Sequence, residues 1–231
     1  MHPSKFPNRY SRNAQTISLE DQAKLASASV AVVGCGGLGG FIAEEMARLG
    51  VGRLTLIDGD SVEESNLNRQ LFATEKTLGQ PKVEAARTRL QEVNSSTQIK
   101  VVREFFREEN GQDLLQGSDL VCDALDSIAA RIALERSCHA LRVPLVFAGI
   151  AGWFGLLGVS LPGDYSVARL FGRTERGVES TWGNPAFTPA MVASLAVAEG
   201  VKILTGKPVS LRNAWLQVDL LEMEFEKFEL R

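Results

Sequence analysis

The sequence predicts an α/β fold: a Rossmann-like, doubly wound, mostly parallel sheet with helices on both faces and a C-terminal β region. Three observations carry the prediction. Val30-Ala31-Val32-Val33 is an unbroken apolar run, as a strand covered on both faces requires. It runs into the glycine turn GCGGLGG, residues 34–40, and a helical pattern follows. A second apolar run at residues 54–57 then ends in Asp58, completing a β-α-β unit.

The elements can be justified in chain order. Ser18 with Glu20 and Asp21 reads as a helix start, and a short helix to about residue 26 follows. After the glycine turn, Leu38, Phe41, Ile42, Met46 and Leu49 fall on one helical face, and Gly50 closes that helix. Pro81 suits a helix start, with Val83, Ala86, Leu90 and Val93 spaced as its buried face. Residues 99–102, 120–124 and 145–150 read as strands and 127–142 as a helix. Residues 163–189, rich in Gly, Pro, Arg and polar residues, read as a long loop. Residues 191–204 read as a helix capped by Gly206. Trp215, Val218, Met223, Phe225 and Phe228 give residues 213–230 a strand-like alternation. The expected organisation is an N-terminal arm (1–17), a half built on the glycine turn (18–145) and a second half with the long loop and the C-terminal strands (146–231), within one compact domain.

Composition excludes several classes. The 231 residues are 45% apolar and 23% charged, with a net charge of −3 and no long run of like charge. A duplex-binding protein needs a basic stripe, so no nucleic-acid partner is expected. Cys35, Cys122 and Cys138 form no C-x-x-C pair and are odd in number, which fits a reducing cytoplasm rather than a disulfide scaffold. The first thirteen residues lack an apolar signal core. Residues 143–161 carry no charge, near the length of a membrane span. Pro144 and four glycines inside that stretch favour two buried strands with a bend, so no membrane segment is expected.

Gly34, Gly36 and Gly39 satisfy G-x-G-x-x-G between a strand and a helix. Such glycines permit a tight turn and close approach of main chain to phosphate, while the helix N-terminus offers free N–H groups. Asp58, nineteen residues past Gly39, is placed to accept ribose hydroxyls. A tight turn that holds no ligand is the plainer alternative. These features alone also suit a nicotinamide dehydrogenase. The next segment, DGDSVEESNLNRQ, and the following GQPK add Arg69 and a helix-start Lys82, which opposes the helix dipole and calls for a compensating anion. Both cations can reach a triphosphate, whereas a nicotinamide ring gives them no task; solvated surface charge is the other reading.

At this point the sequence resembles the ThiF/MoeB/HesA family, bacterial relatives of ubiquitin-activating enzymes. RYSRN at 9–13, GCGGLGG, LTLIDGDSVEESNLNRQLF, TLGQPKVEAA and DLVCDALDSIAAR carry the resemblance, with a weaker match through residue 206. It implies ATP-dependent adenylation of the C-terminal glycine of a small β-grasp carrier ending in Gly-Gly, with release of pyrophosphate, by a homodimer. It implies nucleotide contacts at Gly34, Gly36, Gly37, Gly39, Asp58, Asp60 and Asn66. Arg69 and Lys82 would hold the β- and γ-phosphates, Asp126 would position magnesium, and Arg12 would reach into the neighbouring subunit's site. Asp123 is left a structural part.

Three departures qualify the resemblance. The two C-x-x-C pairs that hold zinc in many relatives are missing, so no zinc is expected. The crossover loop lacks the nucleophilic cysteine of several relatives, so no thioester stage on this chain is expected. Ser127 and Asn13 stand where many relatives have Asn and Gln. Arg169, Arg173 and Arg176 make that loop either a cover for a carrier tail or a solvated surface. A tRNA-modifying adenylating enzyme and an NAD-dependent oxidoreductase remain alternatives.

Overall fold

The computed structural model describes residues 6–172 and 182–230. After a 3-10 helix at Asn8–Asn13 come α1 (Leu19–Ser27), β1 (Ser29–Val33), α2 (Gly37–Leu49), β2 (Arg53–Ile57), α3 (Lys82–Val93), β3 (Gln98–Val102), α4 (Glu108–Leu115) and β4 (Leu120–Asp123). Two further 3-10 turns, Glu64–Asn66 and Glu75–Thr77, lie between β2 and α3, and α5 (Ile128–Leu141), β5 (Leu145–Ala151), β6 (Phe154–Ser160), α6 (Ser166–Phe171), α7 (Phe187–Thr205), β7 (Ala214–Asp219) and β8 (Glu224–Glu229) follow β4.

The eight strands form one sheet in the order β3-β2-β1-β4-β5-β6-β7-β8. Pairs from β3 to β5 are parallel, and β5–β6, β6–β7 and β7–β8 are antiparallel. Successive strand side chains point to opposite faces, so an all-apolar strand feeds two cores. In β1, Val30 and Val32 pack with α1, α2, α3 and α7, while Ala31 and Val33 pack with α4, α5 and α6. β1 lies between β2 and β4, and the crossovers leave it in opposite directions there. This is the switch point of a doubly wound sheet, where a crevice opens beyond the strand ends.

The uncharged stretch at 143–161 is a hairpin: β5 and β6 pair from Leu145↔Ser160 to Ala151↔Phe154. α7 is long and apolar enough to cross a bilayer by length and composition. Here its Val192, Ala193, Ala196 and Val197 are buried in the core beside α2.

Three readings are refined. The long loop contains α6, whose N-terminus is held by the buried Glu135 carboxylate accepting the N–H groups of Val167 and Ala168. Arg173 and Arg176 lie outside the described residues. α7 starts at Phe187, since Pro189 in the first turn lacks only an N–H that has no partner there. The C-terminal segment is two strands, with Met223 at φ 59° closing the turn between them. α4 is an element that the sequence reading leaves out.

The candidate nucleotide crevice

The glycine turn shows what each glycine is for. Gly34 has φ +95°, and its N–H donates to the Ile57 carbonyl at 2.8 Å. A Cβ on Gly34 would stand 2.6 Å from the Ala124 carbonyl oxygen, and one on Gly39 only 1.8 Å from the Gly34 oxygen. These two glycines therefore serve packing, and Gly39 sits inside α2 rather than on the crevice wall. Gly36 differs: its nearest neighbour would be Gln70 Nε2 at 3.6 Å, so a side chain there would enter open space in the crevice. The two positions separate fold from ligand. Gly39→Ala is expected to destabilise the protein by several kcal/mol, about the cost of forced overpacking. Gly36→Ala is expected to melt within a few degrees of the parent and lose nucleotide affinity about tenfold or more. Thermal melting and nucleotide titration of both variants check this.

The crevice encloses about 520 Å³ beyond the ends of β1, β2 and β4. Gly34, Gly36, Gly37, Asp58, Asp60, Asn66, Arg69, Lys82 and Asp126 all line it. First-turn N–H groups of α2 at Gly37 and Leu38 have no partner within the helix and lie at its floor. Asp58 Oδ2 accepts the Cys35 N–H at 2.7 Å and Oδ1 accepts the Asp60 N–H at 2.8 Å, which fixes the carboxylate beside the glycine turn.

Both cations are held in place. Lys82 is nearly buried, and its Nζ donates to Asp60 Oδ2 at 2.9 Å. Arg69 Nη1 donates to the Ser65 carbonyl and to Asn68 Oδ1, each at 2.9 Å. Asn66 is buried and ties its own loop: Oδ1 accepts the Glu63 N–H at 3.1 Å. Asp126 is exposed on the turn between β4 and α5.

Arg12 does not line the crevice. Its 3-10 helix is docked by Tyr10, whose hydroxyl accepts from Asn94 Nδ2 at 2.8 Å and whose ring lies against Gly50. Gly50 caps the C-terminus of α2 and Gly36 its N-terminus, so the 13-residue helix, about 20 Å long, separates this anchor from the glycine turn.

The structure adds wall residues that the sequence reading did not assign. Arg131 is buried and donates through Nη1 to Asp123 Oδ2 at 3.1 Å and to the Ala148 carbonyl at 2.6 Å. Asp123 is wholly buried; burial pushes its carboxyl up, while Arg131 and the Leu125 N–H pull it down. Phe105 is exposed at the crevice mouth and covers Gly59, where a Cβ would stand 2.8 Å from its ring. Gln70 and Asn184 also face the crevice. The only signal for Gln70 and Arg131 was their place inside the quoted motifs.

The three thiols are buried and unpaired. Burial pushes Cys122 up to about 12 and raises Cys35 and Cys138 as well, so none is poised as a thiolate. Among the described residues no group of three or more His, Cys, Asp or Glu converges to hold a metal.

A model of the ThiF family matches residues 10–231. The chain belongs to the ThiF family. A sulfur carrier protein adenylyltransferase of Thermus thermophilus is 34% identical, with 93% of this chain and 83% of the relative covered. A SAMP-activating enzyme E1 of Haloferax volcanii is 31% identical over 97% of this chain and 85% of its own length. A tRNA threonylcarbamoyladenosine dehydratase of Bacillus subtilis is 39% identical over 140 residues, and the match spans 60% of this chain and 55% of that relative. Among solved structures, Escherichia coli MccB with ATP superposes with a TM-score of 0.81 at 24% identity, covering 97% of this chain and 72% of MccB. At that identity the likeness speaks for the Rossmann-like ThiF fold alone.

Proposed function

We propose that this ThiF-family chain is an adenylyltransferase that binds ATP in the crevice and activates the C-terminal carboxylate of a small ubiquitin-like or sulfur-carrier protein ending in Gly-Gly. One observation carries the reading: Arg69, Lys82, Asp58 and the open side of Gly36 line a single crevice at the sheet's switch point. Asp58 takes the ribose, which places the α-phosphoryl at Gly36 and the outer phosphates toward the two cations. The carboxylate attacks the α-phosphorus, and pyrophosphate leaves with the bonding electrons. No proton needs to move, so positioning and charge stabilisation do the work. Magnesium, when bound with the nucleotide, neutralises phosphate charge; Asp126 suits it, since magnesium takes one or two carboxylates and completes its shell with phosphate and water.

Support for a carrier substrate comes from the names of the Thermus and Haloferax relatives and from the net charge of −3. A second reading, an RNA-borne carboxylate, is favoured by the Bacillus relative. An NAD-dependent oxidoreductase is disfavoured because, beyond the diphosphate at the glycine turn, NAD presents a ribose and a ring and no outer phosphate where Arg69 and Lys82 stand. The anchored arm supports a homodimer in which Arg12 serves the neighbouring subunit's crevice. The buried free thiols suit a reducing cytoplasm.

The decisive measurement is exchange of labelled pyrophosphate into ATP. Exchange stimulated by β-grasp carriers ending in Gly-Gly is expected. Stimulation by tRNA alone would move the assignment to the second reading. Tight NAD binding without ATP binding would sink both.

A further inference from the structure

The amide side chain of Gln70 has no hydrogen-bond partner among the described residues. Gln70 is only 7% exposed, yet it lines the crevice. Its main chain is fixed on both sides: its N–H donates to the Asn66 carbonyl at 2.9 Å and its carbonyl accepts from Ala73 at 3.0 Å. The following Leu71 and Phe72 pack across the first turn of α2, within 3.4 and 3.6 Å of where a Gly40 Cβ would stand. This clamp holds Gln70 at the N-terminus of α2. Its Nε2 lies 3.6 Å from the position of a Gly36 Cβ, on the open side of the turn. No described residue hydrogen-bonds the amide, and its atoms stay open to the crevice rather than sealed in the core. Held in place by packing and facing the crevice, the amide is free to bond a ligand atom there.

We infer that Gln70 is an α-phosphoryl ligand: Nε2 donates a hydrogen bond to a non-bridging oxygen of the α-phosphate. The inference rests on the nucleotide reading of the crevice and sharpens it. The ribose at Asp58 is one methylene from the α-phosphate, and Asp58 is bonded to Cys35 next to Gly36, so this phosphate is the one Gln70 can meet. In the transfer step the carboxylate oxygen–phosphorus bond forms as the phosphorus–bridging oxygen bond breaks, and charge builds on the non-bridging oxygens. A neutral donor stabilises that charge without drawing the incoming carboxylate away from phosphorus.

The test needs no carrier. Adenosine, AMP and ATP are titrated against the parent, Gln70→Met and Gln70→Glu, with thermal melting run alongside. Met keeps the volume and removes the donor; Glu keeps the shape and adds a repelling charge. Gln70→Met is expected to weaken AMP about tenfold, as loss of a charge-assisted hydrogen bond does, and Gln70→Glu about a hundredfold. Adenosine, which lacks the phosphate, is expected to stay within about twofold in both. AMP binding unchanged in Gln70→Met, or adenosine weakened as much as AMP, overturns the assignment to Gln70 alone. A parent protein that binds none of the three overturns the nucleotide reading with it.

Discussion

Lys82→Met is expected to lower pyrophosphate exchange by about 10²- to 10³-fold, the usual cost of removing one preorganised group that meets transition-state charge. The fold is expected to survive. Lys82 is almost buried, but its partner Asp60 is about half exposed, so the orphaned carboxylate falls back on water. Such a pair contributes on the order of 1 kcal/mol or less to stability. For a chain of this size that is a shift of only a few degrees in Tm. Arg69→Met is expected to behave alike, since its partners are an exposed main-chain carbonyl and an amide rather than a buried acid. Steady-state exchange together with thermal melting tests both. A large loss of Tm, or exchange within a few-fold of the parent, would remove these cations from the proposed chemistry.

Arg131→Met is expected to act the other way, on stability first. It strands Asp123, which has no solvent exposure at all. Breaking a buried ion pair from one side costs about 3–5 kcal/mol, on the order of 10 °C in Tm here. The pH dependence has a definite sign. Burial raises the folded-state pKa of Asp123 above its ordinary value, and Arg131 opposes that rise. An acid with a raised folded pKa carries no penalty below its unfolded pKa and the full penalty above its folded pKa. Without Arg131 the rise grows, so the variant's deficit is expected to be largest near neutrality and to shrink as pH falls toward the ordinary carboxylate range. Denaturant titrations of parent and variant from pH 7 to pH 4 read this out. A deficit independent of pH would mean that the lost contact of Arg131 with the Phe171 ring and its lost hydrogen bond to the Ala148 carbonyl dominate.

The β1–turn–α2–β2 unit was legible because every local signal agrees: apolar runs, a glycine turn, a 3.6-residue stripe and a terminal acid. The crevice residues it carries were legible for the same reason. α4 was not, because only Leu114 and Leu115 among its eight positions carry apolar side chains, too few to mark a stripe. The C-terminal β region was legible but the turn that splits it was not, because that turn uses Met223 in a left-handed conformation, with no Gly, Pro or Asn to mark it. Arg131 looked like one more polar residue on a helix. Only the flanking β4 and β5 show it to be a buried cation. Gln70 gained meaning only when the 70–72 segment was seen packed across α2.

β8 ends the sheet, and among the described residues its outer row of N–H and C=O groups has no strand beyond it. A bare edge of this kind invites the strand of a second molecule and seeds aggregation. Four of its six residues, Glu224, Glu226, Lys227 and Glu229, are charged, and Phe228 is drawn inward onto Trp215 at 4.8 Å between ring centres. Stray like-sequence strands would meet mostly negative charge against negative charge. Charge along this margin thus opposes its extension by like strands into a fibril.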